Sequence, residues 1–170
     1  MGVGRLLWRL LDLAVAGIFI FAALAKILDL DQLGADLQHL RLVNAFADIG
    51  HLSLTNPAEF AYDIDNFKIL PWTIGVGLAF YLPWVELFAG IALILRRFYR
   101  GALSILLALI VIFIAATIAA KARGLDITCG CFGHASQHWS FPAHMAVDLA
   151  ILAAVLLLLF KSANENRPVA

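Results

Sequence analysis

The sequence predicts an all-α membrane protein, a bundle of four transmembrane helices, and three observations carry that prediction. Apolar residues make up 63% of the 170-residue chain and charged residues only 14%, for a mean hydropathy of +0.92. A soluble domain runs near half apolar and a quarter charged, so lipid must solvate much of this chain. Four apolar stretches are long enough to cross about 30 Å of hydrocarbon, which takes about 20 helical residues. Basic residues collect on one side of those stretches. The length fits a single domain over residues 1–170, and a formal net charge of zero gives no electrostatic case for a nucleic-acid partner.

The spans cover residues 10–28, 71–95, 101–120 and 141–160; the apolar stretch of the last, 143–160, is the shortest, and Ser140 and Phe141 can extend it. Unbroken apolarity over such lengths favours helices, because in lipid a helix satisfies its own backbone hydrogen bonds. The first span has a rival reading. Arg5 and Arg9 resemble the basic start of a signal peptide and Ala23-Leu24-Ala25 its cleavage site, although Asp12 interrupts the apolar run. The third span carries only Ser104 and Thr117 among apolar residues and is expected to face lipid most.

The connection 29–70 is expected to be partly helical. Leu30, Leu33, Leu37 and Leu40 recur at helical spacing. Asn56-Pro57-Ala58-Glu59 supplies a cap residue, a first-turn proline and an acid, the signals of a helix start. This segment reads either as a lid over the helix ends or as a docking surface for a partner.

Orientation follows from the charges. Arg5 and Arg9 precede the first span, Arg96, Arg97 and Arg100 fill the second connection, and Lys161 and Arg167 follow the last span. Cytoplasmic loops are rich in Lys and Arg, so both termini are predicted in the cytoplasm. Lys121 and Arg123 run mildly against this assignment. The connection 29–70, acidic through Asp29, Asp31, Asp36, Asp48, Glu59, Asp63 and Asp65, and the connection 121–140 then lie outside, in the periplasm if the membrane is a bacterial inner membrane. Trp8 fits the inner interface, and Trp72 and Trp139 the outer aromatic belt. Both cysteines and all five histidines (His39, His51, His134, His138 and His144) fall on or at the border of the outer face, where disulfides persist.

The segment Thr128-Cys129-Gly130-Cys131-Phe132-Gly133-His134 carries the most specific chemistry. Two thiols separated by one glycine are close enough to bridge, and the strain of so small a ring makes the bond easy to reduce. The segment runs into the start of the fourth span, where Ser140 can cap and Pro142 lies in the first turn; helix N-terminal amides favour a nearby thiolate. Three readings stay open. The pair is a redox-active dithiol with Cys129 and Cys131 as the reacting groups, or a static disulfide. Alternatively it forms a copper or zinc site with some of His134, His138 and His144, since thiolate plus imidazole suits those metals.

These residues resemble a known family. Ala22-Ala23-Leu24-Ala25-Lys26-Ile27-Leu28-Asp29, then Leu82-Pro83-Trp84-Val85-Glu86 with Gly90, then Gly124 ahead of Cys129-Gly130-Cys131-Phe132-Gly133 look like the MauE/DoxX-type redox-associated membrane proteins of methylamine utilisation. The resemblance implies a four-helix membrane fold and a role in disulfide formation or maturation of exported, cysteine-containing partners.

Ionisable groups within transmembrane segments mark functional sites by default. Asp12 and Lys26 lie 14 residues apart, close to four turns, so they share one face with Ala16, Phe19 and Ala23 that should point into the bundle. Asp12 lies near the inner boundary and is expected to reach headgroups or Arg9. Lys26 and Asp148 each fall within about 10 Å of the outer boundary at 1.5 Å per residue. They are therefore expected to pair and to support the cysteine segment, Lys26 by holding it or lowering a thiol pKa. Glu86 reads as a structural acid or as a polar contact for a quinone or proton path. An oxidase with one cysteine pair must pass two electrons onward, to a membrane quinone near Trp84, Glu86 or the cysteine segment, or to a soluble thioredoxin-like partner. The competing classes are a non-catalytic assembly or binding subunit with structural cysteines, and a lipid or small-molecule carrier using a cavity around Glu86.

Overall fold

The computed structural model describes residues 3–27, 57–125 and 140–165, and among them every regular element is a helix. These are α1 (Val3–Ile27), α2 (Pro57–Asn66), α3 (Trp72–Leu95), α4 (Tyr99–Ala122) and α5 (Phe141–Glu165). Four of them, α1, α3, α4 and α5, are long and apolar enough to cross a membrane. The expected leucine-spaced helix over residues 30–40 lies outside the described residues. The helix start signalled by Asn56-Pro57 is found at Pro57, as α2. The first span begins seven residues earlier than predicted, since Arg5 and Arg9 are carried on the exposed first turns of a longer helix.

Contacts between named residues give the helix directions. Asp12, early in α1, meets Arg96 at the end of α3 and Tyr99 at the start of α4. Lys26, at the end of α1, meets Glu86 in the middle of α3. The Lys161 ammonium, late in α5, lies 4.7 Å from the Trp8 ring centroid in α1. The spans therefore run alternately, and one end of the bundle gathers Arg96, Arg100 and Lys161 beside Trp8. We call it the basic end.

The connection between α3 and α4 is only three residues long. Arg96 closes α3 in the left-handed region at φ 54°, with its N–H on the Leu93 carbonyl, and Phe98 opens α4 at φ 56°. Side chains adopt that backbone region only at some cost, which the tight reversal of two antiparallel helices requires. At the other end Gly124, at φ 72°, terminates α4. Its N–H bonds Lys121 O and that of Leu125 bonds Ala120 O, the paired closure of a Schellman turn. This accounts for the glycine preceding the cysteine segment.

The core is formed by Val15, Ala16 and Phe19 of α1, Ala89 and Leu93 of α3, Leu103, Leu106 and Ile110 of α4, and Ile151, Val155 and Leu158 of α5. The α1 and α3 helices form the closest seam. Ala16 and Ala23 are fully buried, and a Cβ built on Gly90 would lie 2.7 Å from Ile20 Cγ1 and 3.2 Å from the Ala16 carbonyl oxygen. Small residues let helix backbones approach in lipid, where packing rather than water exclusion drives association. The α2 helix packs on α3, burying Phe60 and Ala61 against Ala79.

The expectation that the third span faces lipid most is corrected. Its apolar window is 33% buried, equal to that of α3, whereas that of α5 is 28% buried. Leu103, Leu106 and Ile110 recur on one face of α4 and fill the core; a uniformly apolar helix hides such a face from a polarity reading.

Gly90→Ala should destabilise the bundle by about 1–3 kcal/mol through overpacking, and Ile20→Ala in the same chain should recover part of the loss. Thermal unfolding of the purified protein in micelles measures both; an unchanged midpoint for Gly90→Ala would refute the close seam.

Candidate functional site

The centre of the site is an ion pair within the bundle. Lys26 Nζ donates to both carboxylate oxygens of Glu86, at 2.7 and 2.8 Å, and each side chain is 1% exposed. The ammonium also lies 5.2 Å from the Phe60 ring centroid and 5.3 Å from that of Phe113, within the range of cation–π attraction. Four helices thus converge on one cation: α1 supplies it, α3 its carboxylate, and α2 and α4 an aromatic face each.

This corrects the expected pairing of Lys26 with Asp148. Depth along the helix axis was read correctly as a constraint, but side chains on a helix lean toward its N-terminus. In antiparallel α1 and α3 that lean carries Lys26 inward and Glu86 outward, so the two converge from different depths. Pro83, one turn before Glu86, lacks an N–H and so leaves one helical hydrogen bond unmade in α3.

Asp148 lies on α5, fully buried, and neither carboxylate oxygen has a hydrogen-bond partner among the described residues. It lines a cavity of about 20 Å³ together with Glu86, Phe113, Ile110, Phe19 and Ala22. That volume suits one water molecule and is far below the roughly 300–1,000 Å³ of ligand pockets. His144 lies one turn before Asp148, also buried. The Ser140 carbonyl accepts the His144 N–H at 3.1 Å, which places Ser140 at the cap position of α5 with Pro142 in its first turn.

Of the positions offered for a quinone, Glu86 faces into the bundle, while Trp84 is half exposed and stacked on Phe88 at 6.2 Å.

A second lock holds the basic end. Asp12, 2% exposed, accepts hydrogen bonds from Arg96 Nη2 at 2.9 Å and from the Tyr99 hydroxyl at 2.5 Å. Its expected partner Arg9 is replaced by the first residue after α3. The sequence signal was the placement of Arg96 at the same membrane level as Asp12. The aromatic partners of Lys26 left no comparable signal, because Phe60 and Phe113 look like ordinary apolar positions.

At the opposite end the two basic residues that ran against the orientation have structural duties. Arg123 donates to Ala119 O and, at 3.0 Å, to Lys68 O, while Lys121 lies over the Phe141 ring. Cations in the last turn complement the helix dipole. Cys129, Cys131, His134 and His138 lie outside the described residues; of the expected metal-ligand set, His144 is the described member. By chain connectivity the segment carrying the cysteines joins the end of α4 to the start of α5, at the end of the bundle where Lys26, His144 and Asp148 lie.

Fold and site define a polytopic helical membrane protein with ion pairs locked between its spans. A family profile described as methylamine utilisation protein MauE matches residues 46–161, more than half of the chain, and the chain belongs to that family. The match takes in Glu86 and the cysteine segment and begins after α1, so Lys26 lies outside it. No curated protein and no solved structure matches the chain.

Lys26→Met strands a buried carboxylate and should destabilise the protein by about 3–5 kcal/mol, whereas Lys26→Met with Glu86→Leu should recover most of that loss. A double-mutant cycle of unfolding in micelles reads this, and simple additivity of the two losses would sink the pairing.

Proposed function

We propose that the protein is a membrane-embedded thiol–disulfide exchange protein whose Cys129–Cys131 pair reacts with an exported, cysteine-containing partner. One observation carries the reading: a Cys-Gly-Cys motif, in a chain of the MauE family, in the sequence that connects α4 to α5. The excess of basic residues at the opposite end supports a cytoplasmic location for that end and both termini, and a periplasmic one for the cysteines in a bacterial inner membrane.

The exchange proceeds in two displacements. One cysteine thiolate attacks a partner disulfide, forming a mixed disulfide as the partner's S–S bond breaks and a partner thiolate leaves. The second cysteine thiolate then attacks the mixed disulfide, closing the Cys129–Cys131 bridge and releasing the other partner sulfur. Two electrons pass to the partner, and the two protons lost by the cysteines balance those taken up by its thiolates. Run in reverse, the bridged pair oxidises the partner. A thioredoxin-like protein, or a membrane quinone accepting two electrons and two protons, resets the pair. Because Glu86 neutralises Lys26 at close range, we assign Lys26 a framing role within the bundle rather than that of a bare cation acting on a thiol.

Cys129→Ser and Cys131→Ser, expressed singly in host membranes, should accumulate a reductant-sensitive adduct with one exported cysteine-containing protein. If neither traps an adduct and the double variant supports the host's methylamine-type pathway unimpaired, the exchange role is overturned.

A further inference from the structure

The basic end holds a cavity of about 460 Å³ between the α3–α4 connection and the last turns of α5. Three cations line it, Arg96, Arg100 and Lys161, with Tyr99, Ser162 and Phe98; among the described lining residues none is a carboxylate. The cavity differs from a scatter of surface cations in that two of its three cations, Arg96 and Lys161, are held by neighbouring side chains. Buried Asp12 holds both Arg96 and Tyr99, Arg96 lies 5.2 Å from the Tyr99 ring, and Lys161 is seated over Trp8. Asp12 thus acts inside the protein to orient a guanidinium and a phenol at the rim.

We propose that this cavity binds the phosphate headgroup of an anionic phospholipid. Guanidinium groups match phosphate oxygens in pairs and an ammonium serves as a point charge, so Arg96, Arg100 and Lys161 surround one phosphate. Two features favour a lipid over free phosphate. Phe98, at the mouth, is 86% exposed, an apolar surface that suits an acyl chain. The Trp8–Lys161 pair has the amphipathic make-up of the headgroup level, and basic pockets between spans are recognised lipid headgroup sites. The site is independent of the cysteine chemistry.

The test uses the purified full-length protein in zwitterionic phosphatidylcholine nanodiscs titrated with phosphatidylglycerol, bound lipid being counted by native mass spectrometry. The wild type should retain phosphatidylglycerol selectively. Arg100→Gln/Lys161→Gln should weaken it about thirtyfold, about 2 kcal/mol for two basic groups near an anionic headgroup. Arg5→Gln/Arg97→Gln, which removes equal charge outside the cavity, should weaken it less than threefold, roughly what a diffuse field contributes. The charge-preserving Arg100→Lys/Lys161→Arg pair should retain the lipid, which separates charge loss from misfolding. Equal losses in both charge-removing pairs would overturn the site. Displacement of the lipid by millimolar inorganic phosphate would overturn the lipid assignment in favour of a free anion.

Discussion

The fold depends on an ion pair placed where ions are least welcome. Each charge of Lys26 and Glu86 loses several kcal/mol of hydration on burial, and opposite unit charges about 4 Å apart regain only about 4 kcal/mol at an effective dielectric near 20. Such a pair does little for net stability. Its effect is on specificity: rotating or sliding α1 against α3 would leave two uncompensated charges in apolar surroundings. Phe60 and Phe113 sharpen that constraint by placing ring faces around the ammonium, so α2 and α4 are positioned by the same cation.

The pair in turn needs the close seam. Lys26 and Glu86 meet only because α1 and α3 come together over Ala16 and Gly90, where even one added carbon would press on a backbone oxygen. At the far end of the same seam Asp12 ties α1 to both sides of the α3–α4 reversal. Two polar locks therefore bracket a stretch of small apolar contacts, one near each end of α1. With both ends pinned, neither tilt nor register of the α1–α3 pair is free, and α4 and α5 pack on a fixed surface.

What was legible in the sequence follows from what lipid demands. Span number, alternation and the inward face bearing Asp12 and Lys26 depend on length, charge placement and helical period, all local properties. Partner choice depends on the azimuth of helices separated by some 60 residues, and no local property specifies it. Lys26 was assigned to Asp148 by depth alone; the N-terminal lean of side chains in antiparallel helices selects Glu86 instead. Lys26 and Glu86 had each stood out within separate stretches of the family resemblance, and the structure supplies the contact that unites them. The cysteine segment was the clearest chemical signal in the sequence, yet its chemistry is a matter of one loop's surroundings, which spacing does not encode.

The charge asymmetry between the two ends explains why one bundle can carry two unrelated polar features. At the basic end cations line an open cavity, and the carboxylate of Asp12 holds Arg96 and Tyr99. At the opposite end the carboxylates Glu86 and Asp148 are turned inward around a gap of single-water size, and the basic residues Lys121 and Arg123 are taken up at the last turn of α4. The segment bearing Cys129 and Cys131 departs from that turn at Gly124 and rejoins the bundle at Ser140. Both junctions are built on helix ends with backbone hydrogen bonds, Gly124 and Leu125 to Lys121 and Ala120, and His144 to Ser140. Buried pairs at each end of α1 thus fix a frame whose two ends differ in charge, one open and cationic, the other with its carboxylates turned inward.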